Sequence, residues 1–166
     1  MGGEVFFTGD QHFGHTNILK YCNRPFSSIE EHDNVLIYNW NNIVGSCDIV
    51  YHLGDFTLGP DAVKYLDRLN GFKRISYLHF GHDLRWIKCY LANPRLTFLT
   101  FINSIEEIRL DNEFFVLSHY PLAHWAREYY GSYHLHGHSH GNYYAKGKIL
   151  DVGVDSAYKL LGNYRP

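Results

Sequence analysis

The spacing of apolar and polar residues divides the chain into two halves with different rhythms. In the first half, short apolar runs alternate with helical patterns. Glu4–Thr8 predicts a buried strand running into Gly9-Asp10-Gln11-His12. Ser28-Ile29-Glu30-Glu31 has the form of a capping box, and Leu36, Ile37, Trp40, Ile43 and Val44 follow at helical spacing, so a helix is expected to about Val44. Asp48–Leu53 predicts a second strand ending at Gly54-Asp55. Pro60 suits a first helical turn and Asn70-Gly71 a stop, which predicts a helix over Pro60–Leu69. Arg74–His79 reads as a third strand, leading into Gly81-His82-Asp83.

The second half is mostly strand. Glu106–Leu110, Asp111-Asn112 and Glu113–Ser118 form a hairpin pattern that runs into His119-Tyr120-Pro121. Tyr133–His136 predicts another strand before Gly137-His138-Ser139-His140, and Lys148–Val152 a last one. No repeat or linker interrupts the pattern, and 166 residues fit one domain over 1–166. Each polar cluster follows a strand end: Asp10/His12, Asp55, His82, His119 and His138/His140. Ligands of open α/β sheets bind outside the carboxyl ends of the strands, so these clusters point to one shared site.

Composition narrows the chemistry. An apolar fraction of 45% with 17% aromatics belongs to a packed globular protein. A formal net charge of −2 gives no basic footprint for nonspecific nucleic-acid binding, which lowers that prospect without removing it. Cys22, Cys47 and Cys89 lie far apart, and with no export signal or membrane-length apolar run in view they suggest reduced thiols in a cytoplasmic protein. The unusual number is 12 histidines, most of them clustered. In an extended segment, Asp10-x-His12 and His138-x-His140 would each place two side chains on one side, so each pair could chelate one ion. Mixed oxygen and imidazole donors suit manganese, iron, zinc or nickel better than magnesium or calcium.

Asp10-x-His12, Gly54-Asp55, Gly81-His82-Asp83, His119 and Gly137-His138-x-His140 together resemble the ordered signature of calcineurin-like metallophosphoesterases. The likeness covers roughly residues 4 to 155, and DQHFGHTNILKYCNRPF and SHYPLAHW look like a small bacterial and phage branch of that family. The resemblance implies an α/β fold, a four-layer α/β/β/α sandwich of two packed mixed β-sheets. It implies two divalent transition metal ions, manganese first among them. Asp10, His12, Asp55 and His140 would hold the first ion; Asp55, His119 and His138 would hold the second, with Asp55 bridging. Two ions roughly 3.5–4 Å apart clamp a phosphate and activate a hydroxide for attack. By the same resemblance His82 would be the general acid.

The sequence departs from the family at Gly81, where an asparagine ligand of the second ion usually stands. The second site is therefore expected to be weaker; His79 could swing in, though nothing in the sequence favours it. Asp83 is the candidate to orient His82, and Gln11 either contacts phosphate or faces solvent. His15, Arg24 and Arg85 are candidate substrate contacts. Arg85-Trp86 and Trp125-Ala126-Arg127 could flank a nucleotide base or be surface cation–π packing. His134, His136, His52 and His32 read as structural. The function expected is a metal-dependent phosphoesterase, preferentially a phosphodiesterase, acting on a small phosphate ester or nucleotide with no membrane partner. The alternative is a catalytically impaired metal-binding or protein-binding module on the same fold.

Overall fold

The computed structural model describes residues 3–78 and 81–156. The first half builds a four-stranded sheet from β1 (Val5–Thr8), β2 (Ile49–His52), β3 (Phe72–Ser76) and β4 (Leu99–Ile102), parallel throughout and in chain order. Helices α2 (Ile29–Ile43), α3 (Val63–Leu66) and α4 (Leu84–Ala92) are its crossovers, and a short α1 (Ile18–Tyr21) precedes them. With strands laid down in sequence, right-handed crossovers put every helix on the same face. The opposite face is left free for a second sheet.

That sheet comprises β5 (Ile105–Leu110), β6 (Glu113–Ser118), β7 (Tyr133–His136) and β8 (Ile149–Asp151). It is mixed: β5 and β6 are antiparallel, while β6, β7 and β8 run parallel. Asp111 and Asn112 form the two-residue hairpin loop with φ of 46° and 70°, the left-handed pair that a type I′ turn needs.

Strand side chains sort the core into two layers. Phe6, Val50, Ile75 and Phe101 face the helices, joining Leu36, Ile37, Trp40, Leu66, Trp86 and Ile87. Their neighbours Val5, Phe7, Ile49, Tyr51 and Ile102 face Ile108, Phe115, Leu117, Leu135 and Val152 of the second sheet. Phe7 stacks on Phe115 across the sheets at 5.7 Å. The expected α/β architecture of two packed sheets is therefore present, with the first sheet parallel rather than mixed. Among the described residues, the connection from β6 to β7 covers part of the outer face of the second sheet, over β6 and β7. In it Trp125 packs on His134 and Arg127 lies 4.2 Å over Phe114.

Element boundaries moved where caps and side-chain bonds differ from their sequence signatures. Ser28 caps α2 by accepting from Glu31 N–H, and the Glu31 carboxylate accepts in turn from the Ser27 backbone and hydroxyl. The helix expected from Pro60 begins only at Val63, and the third strand spans Phe72–Ser76 rather than Arg74–His79. Cys22, Cys47 and Cys89 are free thiols, and no helix among the described residues is long and apolar enough to cross a membrane.

Lys73 on β3 is buried among apolar groups, its Nζ donating to the Leu69 carbonyl and lying 4.2 Å over the Phe98 ring. Burial lowers its pKa from 10.5 to about 8. Between those values the unfolded chain binds the extra proton, so the native protein gains stability as pH rises through that window. A Lys73→Met variant has no such gain. Its stability relative to native should fall by on the order of 3 kcal/mol from pH 7 to pH 10.5. Urea unfolding of both proteins at the two pH values measures the difference.

Candidate metal centre

The expected clusters meet at the carboxyl ends of the strands. Asp10 and His12 follow β1, Asp55 follows β2, His119 follows β6, and His138 and His140 follow β7. A bridge between Gly9 and Gly153 ties the two sheets together beside them. Both Gly153 and Gly137 leave room for one carboxylate: a Cβ would lie 2.3 Å from Asp10 Oδ2 at Gly153 and 2.9 Å from it at Gly137.

The local backbone is not the extended segment that the spacing suggested. Asp10, His12, Asp55, His138 and His140 all have positive φ, between 48° and 65°. L-residues pay on the order of 1–2 kcal/mol in this region, and Asp and His are among the types that tolerate it best. Tight left-handed turns, rather than alternation along a strand, aim these side chains. The two pairs consequently behave differently. Asp10 and His12 converge with His140, whereas His138 turns to Asp55 and His119. His138-x-His140 thus divides between two donor groups instead of chelating one ion.

Asp55 sits where the groups meet. Its Oδ2 lies 3.4 Å from His12 Nε2 and 3.6 Å from His119 Nε2. Asp10, His12 and His140 form one set of donors within 4.8 Å of one another, and Asp55, His119 and His138 another. His12, Asp55 and His82 also come within that distance. His82 packs on the rings of His12 at 5.3 Å and His15 at 5.5 Å, which draws His15 into the cluster. Arg85 is exposed on α4 and makes no hydrogen bond, ion pair or ring contact among the described residues.

Several expected roles change. Arg24 does not face a substrate. It is buried, forks onto both Asp155 oxygens at 2.9 and 2.7 Å, and donates to the backbone carbonyls of Asp10 and Gln11. Its Nη1 also meets His32 Nε2, so His32 accepts there and donates through Nδ1 to Asp33. Asp83 is not positioned to orient His82. It is fully buried and accepts from Phe56 N–H, Thr57 N–H and Trp86 Nε1–H. Gln11 faces neither phosphate nor solvent; its amide bonds Thr8 and the buried His52. Trp86 is a core residue, and Arg127 stacks on Phe114 instead of Trp125. His134 is structural, held by Val116 O and Leu122 N–H.

The sequence reading missed Asp155. Its Oδ2 lies 2.6 Å from His140 Nδ1, so it fixes that ring beside the site. Leu53 O does the same for His119 through Nδ1 at 2.9 Å. The carboxylate's place after the last strand, in Asp151-Val152-Gly153-Val154-Asp155, repeats the strand-end rule and was the available signal. Cys22 joins His140 and Asp155 in a further donor group, but Arg24 already occupies both Asp155 oxygens.

The donor chemistry fits a metal ion. Both ring nitrogens of His12 are buried without a hydrogen-bond partner, as is His15 Nδ1. Each orphaned group costs about 1–3 kcal/mol unless something binds it. Burial pushes the Asp10 carboxyl up to about 8 and holds the His12 imidazole well below its usual pKa, in its neutral, ligating form. Burial also opposes charge on His140, but the bonds from Asp155 and Cys22 and the nearby Asp10 outweigh it and raise that ring to about 10. A cation beside Asp10 and Asp55 would favour the ionised carboxyl and the neutral rings. Gly81 borders this cluster: a Cβ there would lie 3.9 Å from Asp55 Oδ1, at a φ of 109° that a side chain rarely adopts. His79 lies outside the described residues.

No family model matches the chain. It is 33% identical to the uncharacterized protein MJ1445 of Methanocaldococcus jannaschii, over 98% of this chain and 85% of that one. Among solved structures, the protein of unknown function AQ665 from Aquifex aeolicus shares the fold. Its TM-score is 0.64 at 23% identity, over 91% of this chain and 90% of that one. A novel archaeal phosphodiesterase gives a TM-score of 0.46 at 16% identity, over 90% of this chain and 81% of that one.

Proposed function

The chain belongs to the family of the M. jannaschii protein MJ1445, and we propose that it is a metal-dependent phosphoesterase preferring phosphodiesters. The observation that carries this reading is His12. Its two ring nitrogens are buried and unpartnered between Asp10 and His140 on one side and Asp55 on the other. Asp10, His12, Asp55 and His140 would hold one ion, and Asp55, His119 and His138 a second. Bound there, divalent transition ions of the manganese type would supply Lewis acidity toward phosphate oxygens and a water acidic enough to attack phosphorus.

The chain's own groups do the rest. Asp155 and the Leu53 carbonyl keep His140 and His119 in the tautomer that presents Nε2. His82, half-buried against His12 and His15, would give its proton to the leaving alkoxide. Arg24 holds the Asp10–Gln11 backbone in place. Three free thiols agree with a cytoplasmic setting.

The test is a manganese-supplemented assay of a generic phosphodiester and a phosphomonoester. His82→Ala should lower kcat by about 10²- to 10³-fold while leaving bound manganese unchanged. Absence of metal-dependent hydrolysis of both esters would sink the proposal. The missing side chain at Gly81, beside Asp55, favours one second reading: a metal-binding module with little catalysis. Manganese bound without turnover is the result that would establish it.

A further inference from the structure

The cluster carries aromatic rings that packing does not explain. Tyr120 follows His119 directly; its ring lies 4.7 Å from His119 and 4.5 Å from His138, yet it is 48% exposed. The Ser118 hydroxyl donates to the Tyr120 carbonyl at 2.6 Å, fixing the backbone that carries it. Tyr21 ends a separate set of ring contacts, on the His12 side of Asp55. It is 73% exposed and set edge-on to His15, which in turn touches His12 and His82. A tyrosine serving the core would bury its ring. These two rest one edge on site histidines and leave the remainder open.

We propose that the substrate is a short nucleotide diester, with a planar base on Tyr120 and the second base on the Tyr21 side of the scissile phosphate. The inference rests on the phosphoesterase reading and specifies its substrate. Base–aromatic stacking tolerates any base, since every base has a π-face. Length is limited by charge. A long strand needs a basic track for its phosphates, and this chain has 15 Lys and Arg against 17 Asp and Glu. Arg24, which the sequence offered as a phosphate contact, is spent on Asp155. A dinucleotide places a single diester at the cluster and asks for no such track. Tyr120 is a specificity residue here: it holds the base and leaves the reacting atoms to the histidines and aspartates.

The experiment compares kcat/KM for a dinucleoside monophosphate with that for glycerophosphocholine, a diester without a base, using manganese-loaded native protein, Tyr120→Leu and Tyr120→Phe. The native protein should prefer the dinucleotide. Tyr120→Leu should reduce that preference about tenfold, and Tyr120→Phe should keep it, because the ring and not the hydroxyl does the stacking. No native preference, or a Leu variant that loses both activities in proportion, would overturn the inference while leaving the phosphoesterase reading intact. If neither diester is hydrolysed, that reading fails, and binding decides the inference separately. Calorimetric titration with the phosphorothioate dinucleotide should then show affinity that Tyr120→Leu weakens about tenfold. No binding, or equal binding by both proteins, would overturn it. Cleavage of long single strands far faster than the dinucleotide would equally refute the short-substrate assignment.

Discussion

Asp55→Asn should reduce metal-dependent hydrolysis by about four orders of magnitude, roughly 5.5 kcal/mol in the barrier. Asp55 stands between the two donor groups, with Oδ2 within 3.6 Å of both His12 and His119. Asp10 also comes within 3.9 Å of His119, but at Nδ1, which the Leu53 carbonyl holds; Asp55 faces Nε2 of both rings. Asparagine is the informative replacement because it accepts the left-handed backbone at φ 55°, where alanine would add strain of its own. It keeps the shape and one carbonyl oxygen while removing the charge that offsets a cation. Elemental analysis should show bound manganese falling to at most one ion per chain, with the melting temperature of the metal-free protein little changed. Activity above about one-tenth of native would show that Asp55 does not bridge.

Arg24→Met should destabilise the fold by about 3–5 kcal/mol, the loss expected when one partner of a buried ion pair is removed. Arg24 is 8% exposed, and its guanidinium donors serve Asp155, His32 and the carbonyls of Asp10 and Gln11. Methionine fills much of the volume but takes the guanidinium fork from Asp155, leaving it His140 alone, and strips two carbonyls of their donor. Arg24→Lys should rescue little of this, since one ammonium cannot reproduce the fork across two carboxylate oxygens. Because Asp155 also fixes His140, the variant should lose metal affinity at temperatures where it remains folded. An unfolding free energy from urea titration within 1 kcal/mol of native would contradict the assignment.

Much of the fold could be read from alternation and punctuation. β1, β2, α2, the β5–β6 hairpin and β7 all lie close to their expected positions, because Phe6/Phe7, Val50/Tyr51 and Phe115/Leu117 alternate or run apolar between clear stops. The strands' carboxyl ends then located the cluster. β4 and α4 escaped notice for physical reasons. Leu99–Ile102 is a four-residue edge strand buried mainly on one side. Leu84–Ala92 lacks a side-chain cap because Asp83, at its N-cap position, spends its carboxylate on Phe56, Thr57 and Trp86.

The site was legible in residue type and order but not in partnership. A sequence shows that Arg24 is a cation near the first cluster; it does not show Asp155, 131 positions later, closing on it. The same limit produced the wrong roles for Asp83 and Gln11, whose neighbours in space are backbone amides, Thr8 and the buried His52. Period-two spacing paired Asp10 with His12 correctly but misled for His138-x-His140, because both pairs leave the strand before their side chains are aimed.

Five donors on left-handed backbone set the cluster against the scaffold that carries it. Glycine at any of them would relax the chain by on the order of 1 kcal/mol while deleting a donor. Selection for thermal resistance alone would therefore drift toward a sturdier protein with a dismantled centre. Any stability-guided library built on this chain has to hold Asp10, His12, Asp55, His138 and His140 fixed and look for its gains elsewhere.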